Sequence, residues 1–322
     1  MLKVNEGSGD GAFIFLIIQS KCMKEKLPFR VIYIGGPTAI LEIGGLRIMT
    51  DPTLDPAGTV YVLPTLTVEK TKGPAVDDIG NIDIVLLSHD QHWDNLDHSG
   101  RDLLKKVSRT FTTTAGANRL RGTSIGLDPW QTDVVITPGG HEIIITATPA
   151  RHGPAGIEKI QGDVTGFLLS VRGERDLDIY ITGDTTYFEG VAELAKRFDP
   201  DYIFMFAGGS RTRGPFYVTM ATNDAMDTAL AFPRATIIPL HYDGWKHYTQ
   251  EIGEVQQAFE VLGIGDRLKL LEPGITTLIT ANDTIDDLAE EAMTDECGDS
   301  MWDKILEEKY HPNPAGQLPE NP

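Results

Sequence analysis

Two mixed β-sheets packed face to face, with helices on both outer faces, is the architecture this chain predicts. Three observations carry that expectation. β-Branched and aliphatic runs crowd the front of each half of the chain, helical patterns follow them, and no shift in composition divides residues 29–274. The second half follows the rhythm of the first without repeating its sequence.

Taken in order, residues 1–27 read as an appendage, in which AFIFLII could pair as an edge strand and Met23 could serve as an alternative start. From Phe29 the pattern is regular. RVIYIGG, AILEI and LRIMTD are short strands, the last two joined at Gly44 and Gly45, which readily supply the positive φ of a hairpin turn. Residues 52–80 form a long connection rich in Pro, Gly and Thr, a length more typical of a functional rim than of filler. IDIVLL is a buried strand, 101–107 a helix and 110–114 a strand. DVVIT, HEIIITATPA, VTGFLLSVR and LDIYITGD follow as strands, then 191–198 as a helix and DYIFMF as a strand. The pattern predicts a helix over 223–232 capped by Thr222 or Asn223, a strand ATIIPLH, a helix over 251–262 and LKLLEPG as the closing strand. Residues 28–280 therefore constitute the expected folded domain, and 281–322 an acidic tail with one short amphipathic stretch at 300–310.

The formal charge of −19 argues against nucleic acid or anionic membrane as partners, because those surfaces select clustered Lys and Arg. Twelve Asp or Glu against two Lys place −10 of that charge in residues 281–322, leaving −9 for the rest. The body is only moderately acidic. Cys22 and Cys297 have no framework spacing, which points to a reducing cytoplasm. No apolar run approaches the roughly 20 residues of a membrane span, and residues 12–18 lack the flanks of a signal peptide. A small-molecule substrate is the expected partner, with a homo-oligomer left open.

Chemistry concentrates where strands end. After IDIVLLS come His89, Asp90, Gln91, His92 and Asp94. Neutral imidazoles suit zinc and related divalent ions, and carboxylates offset the ionic charge. Alone, this cluster reads equally well as a solvated loop with Asp94 or Asp97 capping the next helix. Three more strand ends change the balance, since HEIIITATPA leads to Arg151 and His152, LDIYITG to Asp184, and ATIIPL to His241. Together they supply four His and two carboxylates, enough for two metals about 3.5–4 Å apart sharing one carboxylate.

The ordered series IGGPTAILEIGGLRIMTDP, LLSHDQHWDNLD, TPARHGP, IYITGDTTYFEG and PLHYDGWKHY resembles the metallo-β-lactamase-fold hydrolases, in the branch that includes the L-ascorbate-6-phosphate lactonases. The likeness spans residues 30–274. It implies a four-layer αββα sandwich, the metallo-β-lactamase fold, with a binuclear site on one edge. Carried over position by position, it implies His89 and His152 on one metal, Asp94 and His241 on another, and Asp184 bridging. The superfamily pattern HxHxDH is met here with a fault. Gln91 stands at the second His position, His92 arrives one residue late, and Asn95 follows Asp94 where His is usual. A one-residue insertion that keeps His89, His92 and Asp94 as ligands reconciles the two, and Asn95 then makes the second metal weaker or absent. Gly36 also replaces the His usual in the lactonase branch.

The expected activity is that of a metal-dependent hydrolase using one or two Zn2+ ions, or Mn2+. Metal-bound hydroxide would attack a small ester, lactone or phosphoester, with Asp94, His92 and Asp184 as the catalytic set. Arg151, Tyr187, Arg211, Arg213, Trp93 and Trp245 are the candidate substrate contacts, while His98 and His247 are read as bystanders. Two alternatives stand beside this reading: a nuclease or phosphodiesterase of the same fold, and a non-enzymatic binding module whose metal site has degenerated at Gln91 and Asn95.

Overall fold

The computed structural model describes residues 26–63, 66–212 and 214–280. The expectations for AFIFLII, Met23, Cys22, Cys297, Arg213 and the acidic tail fall outside them. The first sheet has seven strands. β1 (Phe29–Gly35), β2 (Thr38–Ile43), β3 (Leu46–Thr50), β6 (Ile84–Leu86), β7 (Arg109–Thr113) and β8 (Ser124–Leu127) are neighbours in that order, with β15 (Thr276–Ile279) beyond β1. The second runs β14 (Thr236–Leu240), β13 (Tyr202–Phe206), β12 (Leu177–Ile181), β11 (Thr165–Arg172), β10 (Glu142–Pro149) and β9 (Thr132–Ile136). Both are mixed. β3, β6, β7 and β8 pair in parallel, as do β12, β13 and β14, while the remaining pairs are antiparallel.

The period-two alternation of the sequence decides which face each side chain takes. Phe29, Val31 and Tyr33 of β1, Ile84 and Leu86 of β6, Phe167, Leu169 and Val171 of β11, and Phe204 and Phe206 of β13 share one core between the sheets. The alternate residues of the second sheet, Leu168, Tyr180, Ile203, Met205 and Ile237, pack under α4 (Glu189–Arg197), α5 (Thr222–Ala231) and α6 (Ile252–Val261). Those of the first sheet, Ile34, Ile40, Met49 and Val85, pack with Leu104 of α1 (His98–Leu104) and Leu120 of α2 (Thr114–Leu120). The result is helix, sheet, sheet, helix. β6, β13 and β14 are buried along their whole length, as parallel strands covered on both faces must be.

Several elements differ from the sequence reading. The closing strand is β15, paired with β1 from Phe29–Ile279 onward; LKLLEPG contributes only a bridge between Leu268 and Ile237. α1 starts at His98, with Asp97 as its N-cap. α5 starts at Thr222, so Ala221 is its N-cap, and the Asp224 carboxylate accepts from the Ala221 N–H. The long connection holds a hairpin of β4 (Val60–Val62) and β5 (Thr67–Glu69), and α3 (Glu158–Gln161) is a single turn. Among the described residues no helix is long and apolar enough to cross a membrane.

Candidate metal centre

The strands bring their ends to one edge of the sandwich. At the end of β6, Ser88 donates its N–H (3.0 Å) and O–H (2.7 Å) to Asp51 Oδ1, which fixes the start of the histidine loop. Ser88 Oγ lies 2.9 Å from His89 Nδ1. That leaves His89 Nε2 facing inward, 2.8 Å from His92 Nδ1, and His92 Nδ1 is in turn 3.0 Å from His152 Nε2. His152 Nδ1 donates to the Val218 carbonyl at 2.6 Å. A carbonyl can only accept, so the neutral ring carries its proton on Nδ1 and directs the Nε2 lone pair at the cluster, the outer-shell arrangement common to metal-binding histidines.

Asp184 follows Gly183, whose φ of 61° turns the chain at the end of β12. A side chain at Gly183 would also meet the Thr165 carbonyl at 2.5 Å and Ser88 Cβ at 2.9 Å. Asp184 Oδ2 lies 3.5 Å from His152 Nε2 and 3.9 Å from His89 Nε2, while its Oδ1 lies 3.2 Å from His241 Nε2. Asp94 Oδ2 is 3.6 Å from the same His241 nitrogen. His241 ends β14 with φ of 59°, a left-handed conformation that costs a non-glycine residue about 1–3 kcal/mol and clusters at functional sites. Its ring is stacked on Phe206 and packed beside Tyr248.

Two groups of donors result, each able to hold a metal ion: His89, His92, His152 and Asp184, and Asp94, Asp184 and His241. Asp184 belongs to both. The donor chemistry fits a divalent cation. Neighbouring ligand atoms about 2.0–2.2 Å from a tetrahedral ion lie about 3.3 Å apart, and the spacings above bracket that value. Both His241 nitrogens and Asn95 Oδ1 are buried without a hydrogen-bond partner.

Electrostatics point the same way. Burial, reinforced by His92, pushes the His152 imidazole down to about 3, and burial takes His241 to about 4. Burial and the neighbouring His92 and His152 likewise hold His89 well below the usual imidazole range. All three rings are thus neutral, the form that ligates. Burial, then the charges of Asp94 and Asp51, raise Asp184 well above the carboxylate range, and burial lifts Asp51 to about 8. Burial also acts to raise Asp94, but His247, His241 and His92 outweigh it and hold that carboxyl well below its ordinary value.

The irregular spacing of the loop has a clear structural form. Gln91 turns outward, donating to the carbonyls of Gln161 (3.3 Å) and Asp163 (2.8 Å) and accepting from Arg119. Arg119 also grips both Asp90 carboxylate oxygens. The extra residue is accommodated on the outside, and His92 takes the inward position. Asn95 donates to Asp184 Oδ1 at 3.2 Å.

Of the expected substrate contacts, Trp93 lines the cavity at the cluster's mouth, together with Leu63, Leu66, Val68, Ser210, Thr212, His92, Asp94, His152 and His247. The other described ones are engaged elsewhere. Arg151 donates to the Gly153 carbonyl and lies over the Phe188 ring, Arg211 lies 4.1 Å over Tyr217, and Tyr187 packs against the α4–α6 core. Trp245 is buried beside Tyr61 and Val68. His247, read as a bystander, instead places Nε2 2.8 Å from Asp94 Oδ2. Asp51 and Ser88 lie within the quoted runs LRIMTDP and LLSHDQHWDNLD but drew no role there; the available signal was that Ser88 directly precedes His89.

Comparison with known proteins adds the following. The beta-lactamase superfamily domain matches residues 46–242. A UPF0173 metal-dependent hydrolase of Carboxydothermus hydrogenoformans is 27% identical over 252 residues, covering 76% of this chain and 97% of that protein. The UPF0173 protein YddR of Bacillus subtilis is 22% identical over 247 residues, covering 74% and 94%. Among solved structures, an isothiocyanate hydrolase from Delia radicum gut bacteria superposes with a TM-score of 0.67 at 21% identity, over 78% of this chain and 99% of that one. A possible metal-dependent hydrolase from Veillonella parvula gives 0.67 at 20%, over 79% and 100%. At these identities the superpositions speak to the fold.

Proposed function

This chain belongs to the β-lactamase superfamily, and we propose that it is a metal-dependent hydrolase of a small ester, lactone or phosphoester. The observation that carries the reading is the pair of donor groups sharing Asp184 at one sheet edge. The names of the UPF0173 relatives agree with it. Three imidazoles and a carboxylate in the first group suit zinc, and the oxygen-richer second group suits zinc or manganese. The bound ions would supply an acidified water, whose pKa falls from 15.7 to about 7, and polarisation of the acceptor oxygen.

The chain's own residues do the rest. His89, His92 and His152 would hold one ion and Asp94 and His241 the other, with Asp184 within reach of both. The Asp94 carboxylate, which borders the cavity, would orient the attacking water by accepting a hydrogen bond from it. Leu63, Leu66, Val68 and Trp93 exclude bulk water and pack on the apolar part of a substrate, while the Ser210 and Thr212 hydroxyls offer hydrogen bonds. Among the described residues no Lys or Arg lines this cavity, so uncharged esters and lactones are favoured over phosphoesters. The L-ascorbate 6-phosphate of the lactonase branch carries a phosphate that this lining offers no described cation to meet, so a neutral lactone suits it better.

Zinc-reconstituted protein is expected to hydrolyse neutral ester and lactone panels faster than bis-p-nitrophenyl phosphate. His152→Ala is expected to lose that rate. A chelated protein that takes up no metal on reconstitution, or His152→Ala with the full rate, refutes the reading. A nuclease role is disfavoured by the formal charge of −19. The binding-module alternative rests on Asn95, and a metal content well under one ion per chain would favour it.

A further inference from the structure

The second donor group is the poorer one, with two carboxylates and a single imidazole from His241. Asn95, next to Asp94, brings no imidazole to it: the amide nitrogen donates to Asp184 Oδ1 (3.2 Å) and Ser88 Oγ (3.5 Å). An imidazole does stand on the other side of Asp94. His247 Nε2 is 2.8 Å from Asp94 Oδ2, and its side chain is 11% exposed. That carboxylate oxygen sits between two histidines, His247 at 2.8 Å and His241 at 3.6 Å. Both spacings straddle the roughly 3.3 Å separation of two donors on one tetrahedral ion.

His247 also borders the same cavity as His92, Asp94 and His152, whereas Asn95 does not. Its backbone is fixed on both sides. Trp245 bridges to Lys70 and Tyr248 bridges to Ser210, with the Lys246 N–H bonded to the Glu69 carbonyl at 3.1 Å. Such a pinned segment presents a donor with little ordering cost, as ligand shells require. Its Nδ1 is buried with no hydrogen-bond partner, so Asp94 is the polar contact that orients the ring.

We infer that His247 is a ligand of the second metal position, supplying from the segment after β14 the imidazole that Asn95 cannot. Asp94, Asp184 and His241 already lie within reach of one ion, and His247, whose nearest donor is Asp94 Oδ2, would join them as the fourth ligand. This inference rests on the metal-dependent reading above, and the test separates the two.

The full-length chain is stripped with chelator, reconstituted with zinc and counted by elemental analysis, and cobalt(II) is titrated in with absorption detection. The wild type is expected to hold two ions per chain. His247→Ala and the more conservative His247→Asn are expected to hold one, with second-equivalent affinity weakened more than about 100-fold, beyond the 10–100-fold typical of an outer-shell partner. The absorption band of the second cobalt should change while that of the first persists. Melting curves of the stripped variants identify which of the two remains folded. Two ions in a folded His247 variant, at an affinity within about 100-fold of wild type and with the same cobalt spectrum, overturn the inference and leave the hydrolase reading intact. A wild type holding a single ion also overturns it. A wild type that holds none overturns both.

Discussion

Lys70→Met tests the support of the candidate site without touching any donor. The Lys70 side chain is 3% exposed and its Nζ donates to Asp97 Oδ2 at 3.0 Å, and the Asp97 side chain is fully buried. The same carboxylate accepts from the Asp55 N–H at 2.6 Å and, as the N-cap of α1, from the Gly100 N–H at 2.8 Å. Asp55 is tied in by Tyr61 O–H, Ser99 O–H and the N–H groups of His98 and Ser99. One ionic network therefore joins the β4–β5 hairpin, the loop after β3 and the helix that begins directly after the histidine loop. Methionine keeps the length and the apolar stem but strands a buried carboxylate. Removing one partner of a buried pair costs about 3–5 kcal/mol. The two backbone donors that remain on Asp97 place this case near the lower figure.

For a domain of this size, a loss of about 3 kcal/mol lowers the melting temperature by about 6–12 °C. Calorimetry of wild type and variant, each with and without chelator, reads the shift directly. Metal content should stay at the wild-type value, because no donor is altered. The double variant Lys70→Met/Asp97→Asn should be less destabilised than the sum of the two single changes, since it no longer buries a lone charge. A shift under about 2 °C, or additive single changes, would refute the claim that this pair pins the hairpin to the site.

Other outcomes follow from the same geometry. Gln91→Ala should leave metal content unchanged, since its amide faces Gln161, Asp163 and Arg119, whereas His92→Ala should strip the first position; elemental analysis decides, and the reverse pattern would mean the loop is inverted. The pH profile of the metal-free protein should peak between two opposing limbs. His152 and His241, near 3 and 4 when folded against about 6.5 when unfolded, bind fewer protons folded than unfolded as pH falls below 6.5, so their contribution is lost toward acid. Asp51, raised to about 8, binds more protons folded than unfolded between about 4 and 8, so its contribution is lost as pH rises through 8. Bound cations favour the ionised carboxylates, so melting measured with and without chelator should show the alkaline limb only in the stripped protein; identical profiles would contradict this.

The superfamily fold was legible because its layers are written as alternation. Runs such as VTGFLLSVR and LDIYITGD read as strands, and β11 and β12 are strands buried along nearly their whole length. Elements with one exposed face or few apolar residues escaped. β15 has two exposed residues and only Ile279 fully buried, and it needs only one neighbour, so the more apolar LKLLEPG looked the better closing strand. β4 and β5 are three residues each, with a single buried residue apiece, Tyr61 and Val68. α2 owes its start to the Thr113 hydroxyl accepting from the Gly116 N–H, and it buries little beyond Gly116. The six expected metal donors converge because each follows the end of a strand, and the existence of those strands is what the sequence pattern shows best. His247 follows no strand directly, and its approach to Asp94 depends on two isolated bridges that leave no sequence pattern.

The irregular histidine loop shows how an extra residue can be absorbed without moving a donor out of the site. Gln91 does not take the inward place. Instead Arg119, from α2, clamps Asp90 and Gln91 against the Gln161–Asp163 turn, and this turns the bulge toward solvent. The chain then re-enters at His92 from a different angle, and the nitrogen that reaches His89 and His152 is Nδ1. Nδ1 lies closer to the backbone than Nε2, so the shorter arm suits a loop that has already advanced by one residue. Beyond this bulge, Asn95 donates to Asp184 Oδ1, and the far side of Asp94 faces His247 Nε2.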